Sequence, residues 1–230
     1  MKLYYAKIST LTEEEMQKAM QFLPAERKEK IERTGQKKNQ LQSIYAGLLL
    51  EYALQEQGIT GSELTFLKNA DGKPYIAEYP GFFYNLSHSV DYVALVTDAQ
   101  PVGIDVEGLR TGYQKLANRF FSEEEVRALQ ECWSDRLFTK IWTRKESYLK
   151  ATGYGMRMPL QGFSTLEEQV QMNACMPEEM CEENAGYYLA SVPLEDDYWL
   201  SVCRKNVPPV IGREILSPEQ VDLKSILKKV

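Results

Sequence analysis

Two carboxylates one residue apart in an apolar run stand out first, in Pro101-Val-Gly-Ile-Asp-Val-Glu107. In a strand, side chains alternate faces, so Val102, Ile104 and Val106 take one side and Asp105 and Glu107 the other. Paired carboxylates repel unless a cation lies between them, and an all-oxygen donor set suits a hard ion such as Mg²⁺. The same alternation also fits a half-solvated strand without a ligand. Further on, Ile141-Trp-Thr-Arg-Lys-Glu-Ser-Tyr-Leu-Lys150 places Trp142, Glu146 and Lys150 four residues apart, on one face of a helix. Glu146 can add a third carboxylate and Lys150 can meet a phosphate oxygen. The alternative is an ordinary Glu–Lys pair on a helix surface.

Two smaller groups carry hydrogen-bond donors. Asn85-Leu-Ser-His-Ser89 ends an apolar strand with hydroxyls on either side of His88, the one histidine of the chain. It can contact an anion, or it can be a turn with a half-buried histidine. Gly72-Lys73-Pro74 pins a lysine between a turn and a strand, a pattern that also suits any exposed turn. No P-loop, G-x-G-x-x-G loop or G-x-S-x-G elbow is present. Gly153-Tyr-Gly155 follows a helical pattern and reads as its end.

The elements that must position these groups follow from pattern. Residues 2–8 read as a strand. Thr12 and three glutamates open a helix. A long helix runs from about Lys37 through Leu54 on the stripe Leu41, Ile44, Tyr45, Leu48, Leu49, Tyr52, and Gly58 ends it. Asp71-Gly72 is a turn before short strands at Pro74–Ile76, Phe82–Leu86 and Tyr92–Thr97, with another at Val102–Glu107. A helix capped by Ser122 with Glu125 three residues on comes next, then one from Asp135 to Ala151. Gly186–Val192 and Tyr198–Cys203 are strands, and a short helix is expected within residues 217–230. Helices joined to antiparallel strands in both halves give an α+β class. The division is placed near Gln100-Pro101, with an N-terminal subdomain at 1–100 and a C-terminal one, carrying the carboxylates, at 101–230.

Composition sets bounds. With 230 residues, 43% hydrophobic and 26% charged, the chain suits one large or two small folded units. Four widely spaced cysteines and a single histidine argue against a disulfide framework or a zinc centre. A net charge of −6 argues against general nucleic-acid binding. The basic run Arg27, Lys28, Lys30, Arg33, Lys37 and Lys38 on an acidic protein points to one anionic ligand. No apolar run is long enough to span a membrane, and the start lacks a secretory layout. No membrane association and a cytoplasmic location are expected.

Each group alone is common; their order is not. Gly-Lys-Pro, Asn-Leu-Ser-His-Ser, Gly-Ile-Asp-Val-Glu and Trp-Thr-Arg-Lys-Glu-Ser-Tyr-Leu-Lys in succession closely resemble the 4′-phosphopantetheinyl transferase superfamily. The length resembles its Sfp type, in which two similar α+β subdomains are related by pseudo-twofold symmetry, each an antiparallel sheet packed with helices. Arg119-Phe-Phe-Ser122 and Arg27-Lys-Glu-Lys30 extend the resemblance over about residues 1–165.

The resemblance implies that Asp105, Glu107 and Glu146 hold Mg²⁺. It implies that Lys150 contacts the coenzyme A pyrophosphate, and that Arg27, Lys30, Ser43, Lys73, Ser87 and His88 bind the coenzyme, chiefly its phosphates. Gln42 departs from an arginine frequent in the type. The implied reaction moves 4′-phosphopantetheine from coenzyme A to a serine of an apo acyl or peptidyl carrier protein and releases adenosine 3′,5′-bisphosphate. Glu146 and Lys150 are the implied catalytic groups, and a fused pair of halves implies a monomer. Gln114–Phe121, with Lys115, Leu116, Arg119 and two phenylalanines, is the candidate carrier-docking segment. The competing readings are a Mg²⁺–coenzyme A binding module without transfer activity and a pyrophosphate-cleaving hydrolase.

Overall fold

Period-two and period-3.6 stretches alternate along the chain, and each becomes an element. A computed structural model describes residues 1–60, 64–174, 176–195, 197–208 and 218–228. Up to residue 98 the elements are β1 (Lys2–Lys7), α1 (Glu13–Gln21), α2 (Ala25–Arg33), α3 (Lys37–Glu56), β2 (Phe66–Lys68), β3 (Pro74–Ile76), β4 (Phe83–His88) and β5 (Tyr92–Asp98). Then follow β6 (Val102–Gly108), α4 (Gln114–Phe120), α5 (Glu123–Glu131), α6 (Asp135–Thr152), β7 (Phe163–Ser164), β8 (Gln171–Met172) and α7 (Glu178–Glu183). The last are β9 (Tyr187–Leu194), β10 (Tyr198–Lys205), β11 (Glu219–Gln220) and α8 (Leu223–Lys228).

The helix starts expected at Thr12 and Ser122 are reciprocal capping boxes with Glu15 and Glu125. Gly153 ends α6 in the left-handed conformation, its N–H donating to Leu149 O. Three helices went unread in the sequence: α2, α4 and the short α7, which follows Pro177 without a side-chain cap and buries no residue. α2 starts at Pro24 without a side-chain cap and buries only Ile31, so its signal was a basic run rather than an apolar stripe. α4 likewise lacks a cap and buries only Ala117. Cys132, Cys181 and Cys203 are free thiols, and Cys175 lies outside the described residues. Among the described residues, no helix is long and apolar enough to cross a membrane.

One sheet has the order β11-β1-β5-β4 and a second the order β6-β10-β9. All pairings in these two are antiparallel except β1 with β11, which is parallel. α3 covers one face of the first sheet, where Ile44, Tyr45 and Leu49 pack with Tyr4, Val93 and Leu95. The opposite face meets the second sheet: Leu3, Tyr92, Ala94 and Val96 share a cluster with Val102, Ile104, Val106, Leu200 and Val202. β5 is therefore buried along its whole length. The alternation read at 102–107 is realised, with the valine–isoleucine side in this inter-sheet core. The helix expected near the C-terminus is α8. Val221, Leu223 and Leu227 return to the core beneath α3, and β11 extends the first sheet through Tyr4↔Glu219 and Tyr5↔Gln220.

Candidate active site between β6, β4 and α6

The other face of β6 looks at α6, and Gly103 makes the approach possible. A Cβ at Gly103 would run into the backbone of Ser147 and Ala151. Absence of a side chain thus lets the strand lie against the helix backbone, and it brings Asp105 and Glu107 to the helix that carries Glu146 and Lys150.

Lys150 does not pair with Glu146. Its ammonium donates to Asp105 Oδ1 at 2.6 Å and to Ser87 Oγ at 3.0 Å. Ser87 Oγ in turn donates to Asp105 Oδ1 at 2.7 Å. Asp105 is 4% exposed, and its second oxygen, Oδ2, is buried with no hydrogen-bond partner. Glu107 accepts from Ser89 Oγ through Oε2 at 3.1 Å and from Arg110 through Oε1 at 2.6 Å. Glu146, half-buried, has no side-chain hydrogen bond among the described residues.

The Asp105 charge reaches both glutamates. Burial raises the Glu107 carboxyl above its usual range, and the Asp105 charge raises it further. Glu146 is raised by burial first, then by Asp105, with Lys150 opposing and Glu107 adding. Crowded anions that resist ionisation, together with an orphaned buried oxygen, are the chemistry that a hard cation satisfies. Among the described residues, however, no three such groups form a ready metal cluster. Lys150 and Arg110 take up the charge of Asp105 and Glu107 instead.

β4 supplies the third wall by a device the sequence did not disclose. Its alternate residues point at β6: Asn85 Oδ1 accepts from Ile104 N and Ser87 Oγ from Val106 N, while Ser89 reaches Glu107. These side chains stitch the edge of one sheet to the other. The i, i+2 spacing of Asn85, Ser87 and Ser89 matches that of Gly103, Asp105 and Glu107, and was the signal available. Gln42, on α3, donates to Ser89 O at 2.6 Å and fixes that turn.

The remaining expected ligands are less concentrated. His88 is exposed, and its protonated form is disfavoured by desolvation first and then by Lys150 and Lys30. Lys30 is exposed on α2. Ser43, half-buried on α3, makes no side-chain hydrogen bond among the described residues. Arg27 lines a separate pocket of about 130 Å³ with Lys30, Glu51, Lys68, Pro74 and Tyr84, its stem lying over Gly47. Lys73 is turned inward: it donates to Val102 O at 3.1 Å and Ala151 O at 2.8 Å, tying the β2–β3 hairpin to β6 and α6. Burial lowers its pKa to about 8. In the Gln114–Phe121 segment, Phe121 is core: it is 2% exposed and stacks on Phe138 at 5.1 Å. Lys115 and Arg119 are exposed.

Comparison with known proteins decides the family. The profile of the 4′-phosphopantetheinyl transferase superfamily matches residues 101–203, and that of the 4′-phosphopantetheinyl transferase N-terminal region matches residues 10–100. The chain belongs to the 4′-phosphopantetheinyl transferase superfamily. It is an enzyme of that class, and phosphopantetheine transfer is its chemistry. The 4′-phosphopantetheinyl transferase Sfp of Bacillus subtilis (strain 168) is 29% identical over 198 residues, covering 84% of this chain and 87% of that relative. The Bacillus subtilis 4′-phosphopantetheinyl transferase ffp gives the same identity and coverage. A solved Chronobacterium ammoniagenes ACPS–CoA complex aligns at TM-score 0.35 and 18% identity, over 47% of this chain and 98% of that one.

Proposed function

We propose that this transferase moves 4′-phosphopantetheine from coenzyme A to a serine of an apo acyl or peptidyl carrier protein, with Mg²⁺, releasing adenosine 3′,5′-bisphosphate. The observation that carries this reading is the convergence of Asp105, Glu107 and Glu146 with Lys150 where β6 meets α6. Asp105, Glu107 and Glu146 are the residues that would hold Mg²⁺, and the unpartnered Asp105 Oδ2 supports that role. When bound, the ion neutralises pyrophosphate charge.

The chain's own residues do the rest. The carrier serine oxygen forms a bond to the phosphorus bearing pantetheine, and the bond from that phosphorus to the departing 3′,5′-bisphosphate breaks. Lys150 offsets the charge growing on the leaving group. Glu146, half-buried beside Asp105 and Lys150 and with no hydrogen-bond donor of its own among the described residues, takes the serine proton, directly or through a water. Arg27, Lys30 and His88 form the coenzyme's phosphate side, with Ser43 as a hydroxyl contact. Ser87 and Lys73 serve the same site by holding Asp105 and the β6–α6 junction in place. The exposed face of α4, with Lys115 and Arg119, docks the carrier. The chain acts as a monomer of two subdomains, residues 1–100 and 101–230, with β11 and α8 of the second returning to the sheet and core of the first.

The test is incubation with coenzyme A, Mg²⁺ and a panel of apo carriers, each read by intact mass. A carrier gaining one phosphopantetheine confirms transfer. Free phosphopantetheine with every carrier unmodified would refute it. Near-normal turnover by Glu146→Gln at saturating Mg²⁺ would remove Glu146 from the proton step.

A further inference from the structure

Arg110 belongs to none of the motifs above, yet it is built into the site from three directions. Its backbone N–H donates to Thr139 Oγ1 on α6 at 2.9 Å. Thr139 is itself fixed, donating to Asp135 O at 2.8 Å. Its guanidinium lies 5.1 Å from the ring centre of Trp142 and 5.7 Å from that of Tyr113, within cation–π range of both. One terminal nitrogen donates to Glu107 Oε1 at 2.6 Å. A guanidinium stacked on an α6 tryptophan has few alternative positions, so this ion pair is more restrained than an ordinary surface pair.

The placement is informative because of what Glu107 has to do. Its other oxygen accepts from Ser89, so in this arrangement both carboxylate oxygens are engaged. Lys150 engages Asp105 in the same manner. Of the two cations, Lys150 lies on the helix face already assigned to chemistry, whereas Arg110 follows β6 and is held by α6 through Thr139 and Trp142.

We infer that Arg110 is a positioning residue for Glu107: a resident counter-cation that holds the carboxylate in place and must yield Oε1 when a divalent ion enters. Arg110 thereby weakens metal binding in the donor-free enzyme. Loading of the metal becomes coupled to arrival of the pyrophosphate donor, whose oxygens supply the ligands and negative charge needed to outcompete the guanidinium. This rests on the metal role given to Glu107 above.

The experiment titrates Mn²⁺ into metal-free enzyme and follows the free-ion electron paramagnetic resonance signal, with Mg²⁺ as competitor. It is done with and without coenzyme A, on wild type, Arg110→Ala, Arg110→Gln and Arg110→Lys. Thermal melts establish which variants fold. The expected result is tighter Mn²⁺ binding, by about fivefold, for Arg110→Ala and Arg110→Gln without coenzyme A, the scale of one partly screened ion pair. Arg110→Lys restores wild-type affinity, and the difference between variants narrows once coenzyme A is present. If Arg110→Ala does not fold, Arg110→Gln decides. Equal or weaker Mn²⁺ binding by the folded variants, while wild type binds the ion, overturns the inference and leaves the metal reading intact. If wild type binds no Mn²⁺ with or without coenzyme A, the metal reading falls and the inference with it.

Discussion

Lys150 on α6 and Asp105 on β6 are joined at 2.6 Å, and Ser87 of β4 hydrogen-bonds to both. Three elements separated in the chain thus meet at one carboxylate oxygen, and each depends on the others for its position.

Removing the cation should expose that dependence. Lys150→Ala leaves a buried anion with only Ser87 as a donor, a loss of about 2–3 kcal/mol in metal-free buffer, somewhat under the figure for a fully buried pair because Lys150 is partly exposed. Added Mg²⁺ should recover part of it. Denaturant unfolding with and without the ion measures both, and wild-type stability without metal would contradict this account.

The pH behaviour of the metal-free enzyme follows from Glu107 and Glu146, both raised above the 4.5 of a free glutamate. Between that value and the raised one, the folded state binds more protons than the unfolded state, so stability falls as pH rises through the window. The stability is present in full below the unfolded value and is lost above the folded one. Glu146→Gln should flatten the decline and raise the melting temperature at neutral pH while removing activity. A pH-stability curve unchanged by the substitution would count against the coupling.

Gly103→Ala tests the contact that assembles the site. A methyl group there meets helix backbone, which cannot rotate aside. The strand and helix must separate, at a cost of about 1–3 kcal/mol, and kcat should fall further than stability alone accounts for. Thermal melts beside steady-state kinetics at a temperature where the variant is folded distinguish the two losses.

Lys73 separates a structural tie from a coenzyme contact. Lys73→Met deprives two carbonyls of their donor, and about 1–3 kcal/mol of stability should go with it. Folded Lys73 titrates near 8, below the 10.5 of a free lysine. Across that interval the unfolded chain holds more protons, so the margin of wild type over Lys73→Met should widen as pH rises. Parallel chemical denaturation at a series of pH values checks the sign. If the Michaelis constant for coenzyme A rose while stability held, Lys73 would be a ligand rather than a tie.

Local periodicity determined much of this protein. Alternation at 102–107 gave β6 and its two faces, the cap signals at Thr12 and Ser122 gave helix starts, and the four-residue spacing of Glu146 and Lys150 put both on one helix. The ordered motifs identified the family. These are short-range properties, set by the geometry of strand and helix. Which charge neutralises which is not short-range. Lys150 turns from Glu146, four residues away, to Asp105, 45 residues away, because Gly103 lets β6 lie on α6. Ser87 and Ser89 face carboxylates 18 residues on because the edges of two sheets meet there. The inward turn of Lys73, the burial of Phe121 and the place of Arg110 between Glu107 and Trp142 were likewise settled by packing between elements. Desolvation and ion pairing depend on which distant groups come within a few ångströms, and only the tertiary structure decides that.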